Sequence, residues 1–378
     1  MDIDERFMWI ALDLARRGRG STSPNPMVGA VVVRDGKIVG TGYHQAPGGP
    51  HAEVAALRQA GEKARGAVLY VNLEPCAHRG RTGPCADAII RAGISRVVAA
   101  MEDPNPLVAG KGFRKLAEAG IELKRGVLEE KALRLNEVYV KFITTGRPFV
   151  IVKTAVTADG KTATRTGRSR WITGEKARAF VHRLRHNSDA IAVGIDTVLR
   201  DDPLLTARLE GGGGRDPLRV IVDSRARLPL DARVINSASR AATLLAVTPA
   251  APADKLRALE EKGVEILLLP GREGRVDLDA LMRKLGERGV CQLMVEGGGN
   301  LNYSLLEAGL VDKLMLFMAP LIIGGRESPT SFEGAGVARL EEAWRLKDME
   351  IKQYDGDLLL IGYPLAPEKR NAEKGGGF

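Results

Sequence analysis

The apolar residues of this 378-residue chain fall into short strand-like runs separated by amphipathic helical stretches, and the rhythm breaks once, at TTGRPFV (residues 144–150). Alternation of that kind predicts mixed sheets covered by helices. Gly146 and Pro148 close a helix at the break, and a new strand opens at Phe149. Before it the pattern predicts a helix over 4–17, then two strands in VGAVVVRDGKIVGTGYH joined by an Asp35-Gly36 hairpin turn. A helix from His51 to Ala60, the strand AVLYVNL, a helix after Pro84 and the strand RVVAAM follow. A helix over 111–119, a strand near 121 and one helix over 128–143 complete the half. After the break the expected strands are PFVIVKTAV, AIAVGI, LRVIVD, TLLAV, VEILLL, CQLMV and DKLMLFMAPLII. Residues 210–214 (EGGGG) read as a surface loop. The expected organisation is one domain over 1–146, a second over 147–366 and a disordered tail over 367–378. Each half is long enough to bury its own core.

Three cysteines cannot build a disulfide framework and point to a reducing compartment, hence the cytoplasm. The N-terminus is acidic where a signal peptide is basic, and no run approaches about 18 apolar residues, so no membrane association is expected. The net charge of +9 is spread evenly, +5 over residues 1–146 and +4 over residues 147–378, with no basic arm. Small phosphorylated ligands account for such an excess as well as a polynucleotide does.

Two of the three cysteines stand close together in EPCAHRGRTGPC, separated by eight residues. Upstream, His51-Ala52-Glu53 opens a predicted helix, giving H-x-E … P-C-x8-C. A catalytic zinc takes three protein ligands and keeps a fourth position for water, and His51, Cys76 and Cys85 fill those three places. Glu53, two residues beyond His51, is then free to move a proton between the attacking water and the leaving group.

This pattern resembles the zinc-dependent cytidine-deaminase-like superfamily, although the cysteine spacing is eight residues where that signature has two. The longer insert, SPNPMVGAVVV and the H-A-E are similar to the deaminase half of the bifunctional riboflavin-biosynthesis deaminase/reductases. The resemblance implies substrate contacts from Asn25, His78 and, more weakly, His44. Cys291, in an apolar strand, reads as core.

In the second half, CQLMVEGGGNLNYSLLEAG is a strand, a three-glycine turn and a helix. Glycines at such a turn let backbone N–H groups approach a phosphate, but a bare tight turn fits EGGG alone equally well. Taken with KTAVTADGKTAT, SRWITG and GIDTVLRDDPLLTAR, it looks like the reductase half of the same family. The resemblance implies an N-terminal cytidine-deaminase-like α/β/α domain followed by a dihydrofolate-reductase-like α/β domain that uses NADPH. It assigns Ala155, Trp171, Thr197, Asp201, Ser224 and the run Gly298, Gly299, Asn300, Leu301, Asn302, Tyr303 and Ser304 to the cofactor. It assigns Ser169, Arg185, Leu205, Arg208 and Glu296 to the substrate, the arginines suiting its phosphate. Lys153, Asp201 and Glu296 are the acid/base candidates.

The implied function is deamination of 2,5-diamino-6-(ribosylamino)-4(3H)-pyrimidinone 5′-phosphate, then reduction of the ribosyl group of 5-amino-6-(5-phosphoribosylamino)uracil to ribityl. The expected cofactors are one zinc ion per chain and NADPH, and the expected partners are small phosphorylated pyrimidines. No nucleic acid is expected, and a homo-oligomer would form through the reductase domain. Two rivals remain at this stage: a tRNA adenosine-type deaminase with an appended binding domain, and a non-catalytic protein stapled by a closed four-ligand zinc site.

Overall fold

The computed structural model of the chain describes residues 2–77, 83–106 and 108–367. His78 and the tail from residue 368 onward lie outside them. The chain divides into two compact units, Met1–Arg147 and Pro148–Phe378.

The first unit runs α1 (Ile3–Arg16), β1 (Gly29–Arg34), β2 (Lys37–Tyr43), α2 (Ala52–Ala60), β3 (Val68–Val71), α3 (Cys85–Ala92), β4 (Arg96–Ala99), α4 (Lys111–Glu118), β5 (Glu122–Lys124), α5 (Glu129–Leu135) and α6 (Glu137–Thr145). Its sheet has the order β2-β1-β3-β4-β5, antiparallel across β2, β1 and β3 and parallel across β3, β4 and β5. The period-2 alternation sends Ala30, Val32, Leu69, Val71, Val97 and Ala99 against α2, α3 and α4. Val31, Val33, Tyr70 and Val98 face α1 and α5 on the other side. The unit is a three-layer α/β/α sandwich.

Small residues set the spacing of these layers. A Cβ on Gly42 of β2 would stand 2.3 Å from the Ala52 carbonyl, and one on Gly40 would stand 2.2 Å from that of Ala56. The first turn of α2, which carries His51 and Glu53, therefore lies directly on strand backbone. The single helix expected over 128–143 is two helices. Asn136 breaks it, because its side chain accepts from Met27 N–H at 2.8 Å and donates to the Met27 carbonyl at 3.0 Å.

The second unit holds β6 (Phe149–Thr157), α7 (Glu175–Asn187), β7 (Ala190–Gly194), α8 (Ile195–Asp201), β8 (Leu218–Val222), β9 (Thr243–Val247), α9 (Ala253–Glu261) and β10 (Val264–Leu268). After these come β11 (Gly271–Arg272), β12 (Arg275–Val276), α10 (Leu278–Glu287), β13 (Gln292–Val295), α11 (Gly299–Glu307), β14 (Lys313–Ala319), β15 (Arg345–Tyr354) and β16 (Asp357–Leu365). The main sheet has the order β10-β9-β8-β7-β13-β6-β14-β16-β15, parallel from β10 to β14, with β16 and β15 antiparallel. β13 sits between β6 and β7, so the strand order reverses there. A reversal of that kind opens a crevice at the carboxyl ends of the strands.

Replacing Gly42 by Val forces α2 off the sheet. The expected result is a loss of about 1–3 kcal/mol in the first unit, read by urea unfolding of the full chain. An unchanged transition would contradict this account of the layer spacing.

Candidate active sites in the two units

In the first unit the parallel strands β3 and β4 end side by side, and the chain leaving β3 passes through Glu74-Pro75-Cys76. His51 is the N-cap residue of α2, and Cys85 is the first residue of α3. His51 Nδ1 lies 3.1 Å from Cys85 Sγ and 3.6 Å from Cys76 Sγ. The three donor atoms all fall within 4.8 Å of one another, and no fourth protein ligand joins this group among the described residues. The Cys85 N–H donates to Cys76 Sγ at 3.3 Å, so the start of α3 stabilises negative charge on that sulfur.

The electrostatics follow from crowding. A side-chain hydrogen bond between the two thiols holds Cys76 down at about 4, with His51 and the Cys85 N–H adding to the effect. The same bond, together with burial, drives the Cys85 thiol upward. The hydrogen bond to Cys76 raises His51. One imidazole nitrogen and two sulfurs, one already a thiolate, suit a zinc ion. Glu53 is 3% exposed, and burial pushes its carboxyl up to about 6.

His44 packs edge-on to His51, with ring centroids 5.6 Å apart. Its Nε2 lies 3.0 Å from Asn25 Nδ2, and its Nδ1 lies 3.3 Å from the Pro50 carbonyl. Only a neutral ring protonated at Nδ1 satisfies both neighbours, and burial lowers the His44 pKa in the same sense. Asn25 thus stands beside the cysteine–histidine cluster.

In the second unit a cavity of about 670 Å³ opens at the strand reversal. Lys153 and Ala155 of β6, Thr197 and Asp201 of α8, and Ser169 and Ser224 from loops line it. Glu296 and Gly298 of the glycine turn, and Gly299, Asn300, Leu301, Asn302 and Ser304 of α11, also line it. Gly297 (φ +115°) and Gly298 (φ +86°) occupy the backbone region that side chains disfavour, and Thr197 packs on both.

Five expected contacts lie off this lining. Tyr303 is turned away by the helical period: its hydroxyl donates to the Gly336 carbonyl at 2.8 Å, and its ring meets Trp344. Trp171 is 66% exposed, with the Arg178 guanidinium 4.6 Å from its ring centre. Leu205 is buried in the core. Arg208 bonds Thr206 Oγ1 at 2.8 Å and borders His182.

Arg185 is committed to Glu296, donating from Nε at 2.6 Å and Nη2 at 2.8 Å, while Lys153 Nζ approaches the same carboxylate at 3.4 Å. Burial alone would raise Glu296, but Arg185 and then Lys153 outweigh it and hold the carboxyl at about 2. These cations favour the ionised form of Glu296 at neutral pH.

Sequence reasoning missed part of the wall. Pro329, Thr330, Ser331 and Glu333 line the cavity from the long connection after β14. That segment is tied down by Thr154 Oγ1 to Ser331 Oγ at 2.9 Å and by the Asn302 amide to the Ser331 carbonyl at 2.8 Å. Arg200, Arg225 and Arg275 also border the cavity. The available signal was Arg225, a basic residue directly after the hydroxyl at the end of β8.

Comparison with known proteins agrees with this division. Residues 1–101 match the family model described as the cytidine and deoxycytidylate deaminase zinc-binding region, and residues 148–360 match that of the RibD C-terminal domain. The riboflavin biosynthesis protein RibD of Aquifex aeolicus is 46% identical over 360 residues, covering 95% of this chain and 98% of that protein. The Escherichia coli RibD is 43% identical over 368 residues, covering 94% and 98%. Among solved structures, Acinetobacter baumannii RibD (form 1) superposes with a TM-score of 0.85 at 39% identity, covering 96% of this chain and 99% of that one. The Thermotoga maritima diaminohydroxyphosphoribosylaminopyrimidine deaminase/5-amino-6-(5-phosphoribosylamino)uracil reductase gives 0.82 at 36% identity, with 96% and 99% covered.

The cluster of His51, Cys76 and Cys85 sets an expected stoichiometry of one zinc per chain in protein purified without chelator, lost in Cys76→Ser and Cys85→Ser. Elemental analysis of the wild type without zinc would contradict the assignment.

Proposed function

This chain belongs to the RibD family of bifunctional riboflavin-biosynthesis enzymes, and on that footing we propose how its residues divide the two reactions. It is a zinc-dependent deaminase and an NADPH-dependent reductase acting on small phosphorylated pyrimidines. The observation that carries the division of labour is the convergence of His51 Nδ1 and two cysteine sulfurs beside a buried Glu53, with a separate cavity in the second unit.

In the deaminase, His51, Cys76 and Cys85 hold the zinc. When bound, the ion would make a water molecule acidic enough to attack the ring near neutral pH. Glu53 would accept a proton from the attacking water as its oxygen bonds to the ring carbon, and would pass that proton to the amine, which leaves as ammonia when the C–N bond breaks. Its pKa of about 6 suits both halves of that exchange. Asn25, oriented by neutral His44, holds the pyrimidine edge.

In the reductase, NADPH supplies the hydride. Residues 298–302, Ser304, Thr197, Ser224 and Asp201 would bind the nucleotide, with backbone N–H groups of the glycine turn available to its phosphates. Hydride addition at the ribosyl C1′ opens the sugar ring, and the ring oxygen then needs a proton. Lys153 donates it. Glu296, held ionised, fixes Lys153 and Arg185 in place. Burial, with Arg185 and Arg208 beside it, holds His182 down at about 4.

The same proposal includes a homo-oligomer through the second unit and a cytoplasmic location. β15 is the edge of its sheet and exposes Met349 and Ile351. An edge strand with unpaired N–H and C=O groups pairs readily with a second copy. Cys76, Cys85 and Cys291 form no disulfide with one another, as befits a reducing compartment. No helix among the described residues is long and apolar enough to cross a membrane.

Glu53→Gln is expected to keep its zinc and lose deamination by roughly a hundredfold. It should still oxidise NADPH on the already deaminated substrate. Gly298→Val should do the reverse, releasing ammonia without consuming NADPH. Retained deamination in Glu53→Gln would reject the role given to that carboxylate.

For the oligomer, Ile351→Glu should lower the mass measured by sedimentation. A wild type that already sediments as a monomer would refute the pairing.

A further inference from the structure

The residue two positions before the metal ligand Cys76 is a carboxylate that the two reactions do not use. Glu74 is 3% exposed. Its Oε1 accepts from the backbone N–H groups of Gly112 at 2.7 Å and Phe113 at 3.2 Å. Its Oε2 accepts from Gly110 N–H at 3.0 Å and Asp103 N–H at 3.2 Å. Gly110 is the N-cap of α4 and provides no side chain of its own, so Glu74 supplies the cap from another segment.

A second observation places the backbone as firmly as the carboxylate does. A Cβ on Gly112 would stand 1.9 Å from the Pro75 carbonyl, so α4 lies in direct contact with the peptide that leads into Cys76. On the other side of that peptide, the Ala86 N–H donates to the Cys76 carbonyl at 3.1 Å, and the Cys85 N–H donates to Cys76 Sγ at 3.3 Å. Cys76 is thus held between the N-termini of α3 and α4, and Glu74 and Gly112 make the α4 half of that clamp.

We propose that Glu74 and Gly112 are positioning residues for the zinc site, which fix the backbone at Pro75 so that Cys76 Sγ meets His51 and Cys85 at ligating distance. A carboxylate is required because all four neighbours are donors. A glutamine would turn its NH2 group toward two of them. The inference rests on the assignment of His51, Cys76 and Cys85 as the metal ligands.

The test compares full-length wild type, Glu74→Gln and Gly112→Ala, each loaded with zinc. The rate of zinc loss to excess chelator is measured first. The cobalt-substituted proteins are then compared in their thiolate-to-cobalt and ligand-field absorption. Both variants should lose zinc at least roughly tenfold faster, as changes to groups supporting metal ligands do. Their cobalt spectra should be weakened or shifted, while NADPH oxidation on the deaminated substrate stays at the wild-type rate. Zinc loss and spectra equal to the wild type would overturn the proposal. So would loss of the far-ultraviolet circular dichroism of both loaded variants, which would make the pair a requirement of folding rather than of the ligand. A wild type with no zinc to lose would contradict the ligand assignment itself and remove this inference with it.

Discussion

Two cysteine sulfurs and an imidazole nitrogen packed within 4.8 Å at the end of a buried strand place a severe electrostatic demand on the first unit. With no cation, one thiol can ionise only while its neighbour stays protonated, which is the division between Cys76 and Cys85. A divalent ion removes that conflict by taking both sulfurs as thiolates. Much of the unit's local architecture serves to hold these three donors together. Glycines at 40 and 42 let α2 lie on β2, which sets His51 and Glu53. The start of α3 faces Cys76, and α4 is clamped to the peptide before it.

The second unit solves a different problem with a related device. Its parallel strands reverse their order at β13, and the carboxyl ends of β6, β7, β8 and β13 open together on the cavity. A charged substrate and a polyphosphate cofactor need a site whose own charges do not titrate. Burial would neutralise Glu296, but two cations beside it keep it ionised. Removing either cation would leave that carboxylate buried and partly uncompensated, a costly state. Glu53 of the first unit stands at the other extreme, its carboxyl raised by burial to about 6. One sequence thus holds one buried glutamate high, by burial and the neighbouring Cys76 thiolate, and another low, by Arg185 and Lys153.

Much of this was legible in the sequence, and the gaps have physical causes. The core strands announced themselves because both faces are covered, as at TLLAV, where every residue of Thr243–Val247 is buried. The zinc donors were legible because ligand chemistry restricts residue types at each position. The split at Asn136 was not, since its partner, Met27, is 109 residues away and leaves the local helical period intact. The β15–β16 hairpin escaped because β15 is exposed along most of its length and carries charges in place of apolar alternation. Its Asp355-Gly356 turn was the overlooked signal. Tyr303, Trp171, Arg185, Leu205 and Arg208 were assigned to ligands through resemblance, and their packing here sets them off the cavity lining. Family position fixes a residue in the chain, whereas the direction of its side chain depends on neighbours such as Trp344 and Glu296.

The central claim is that two independent sites act in sequence, the zinc site first. It is tested most directly by following NADPH oxidation in zinc-depleted full-length protein. Given the diaminopyrimidine phosphate, that protein should oxidise no NADPH until zinc is restored. Given the deaminated uracil phosphate, it should oxidise NADPH at the full rate throughout. Zinc-free protein that oxidised NADPH on the diamino compound, or that failed on the uracil while folded, would contradict the account.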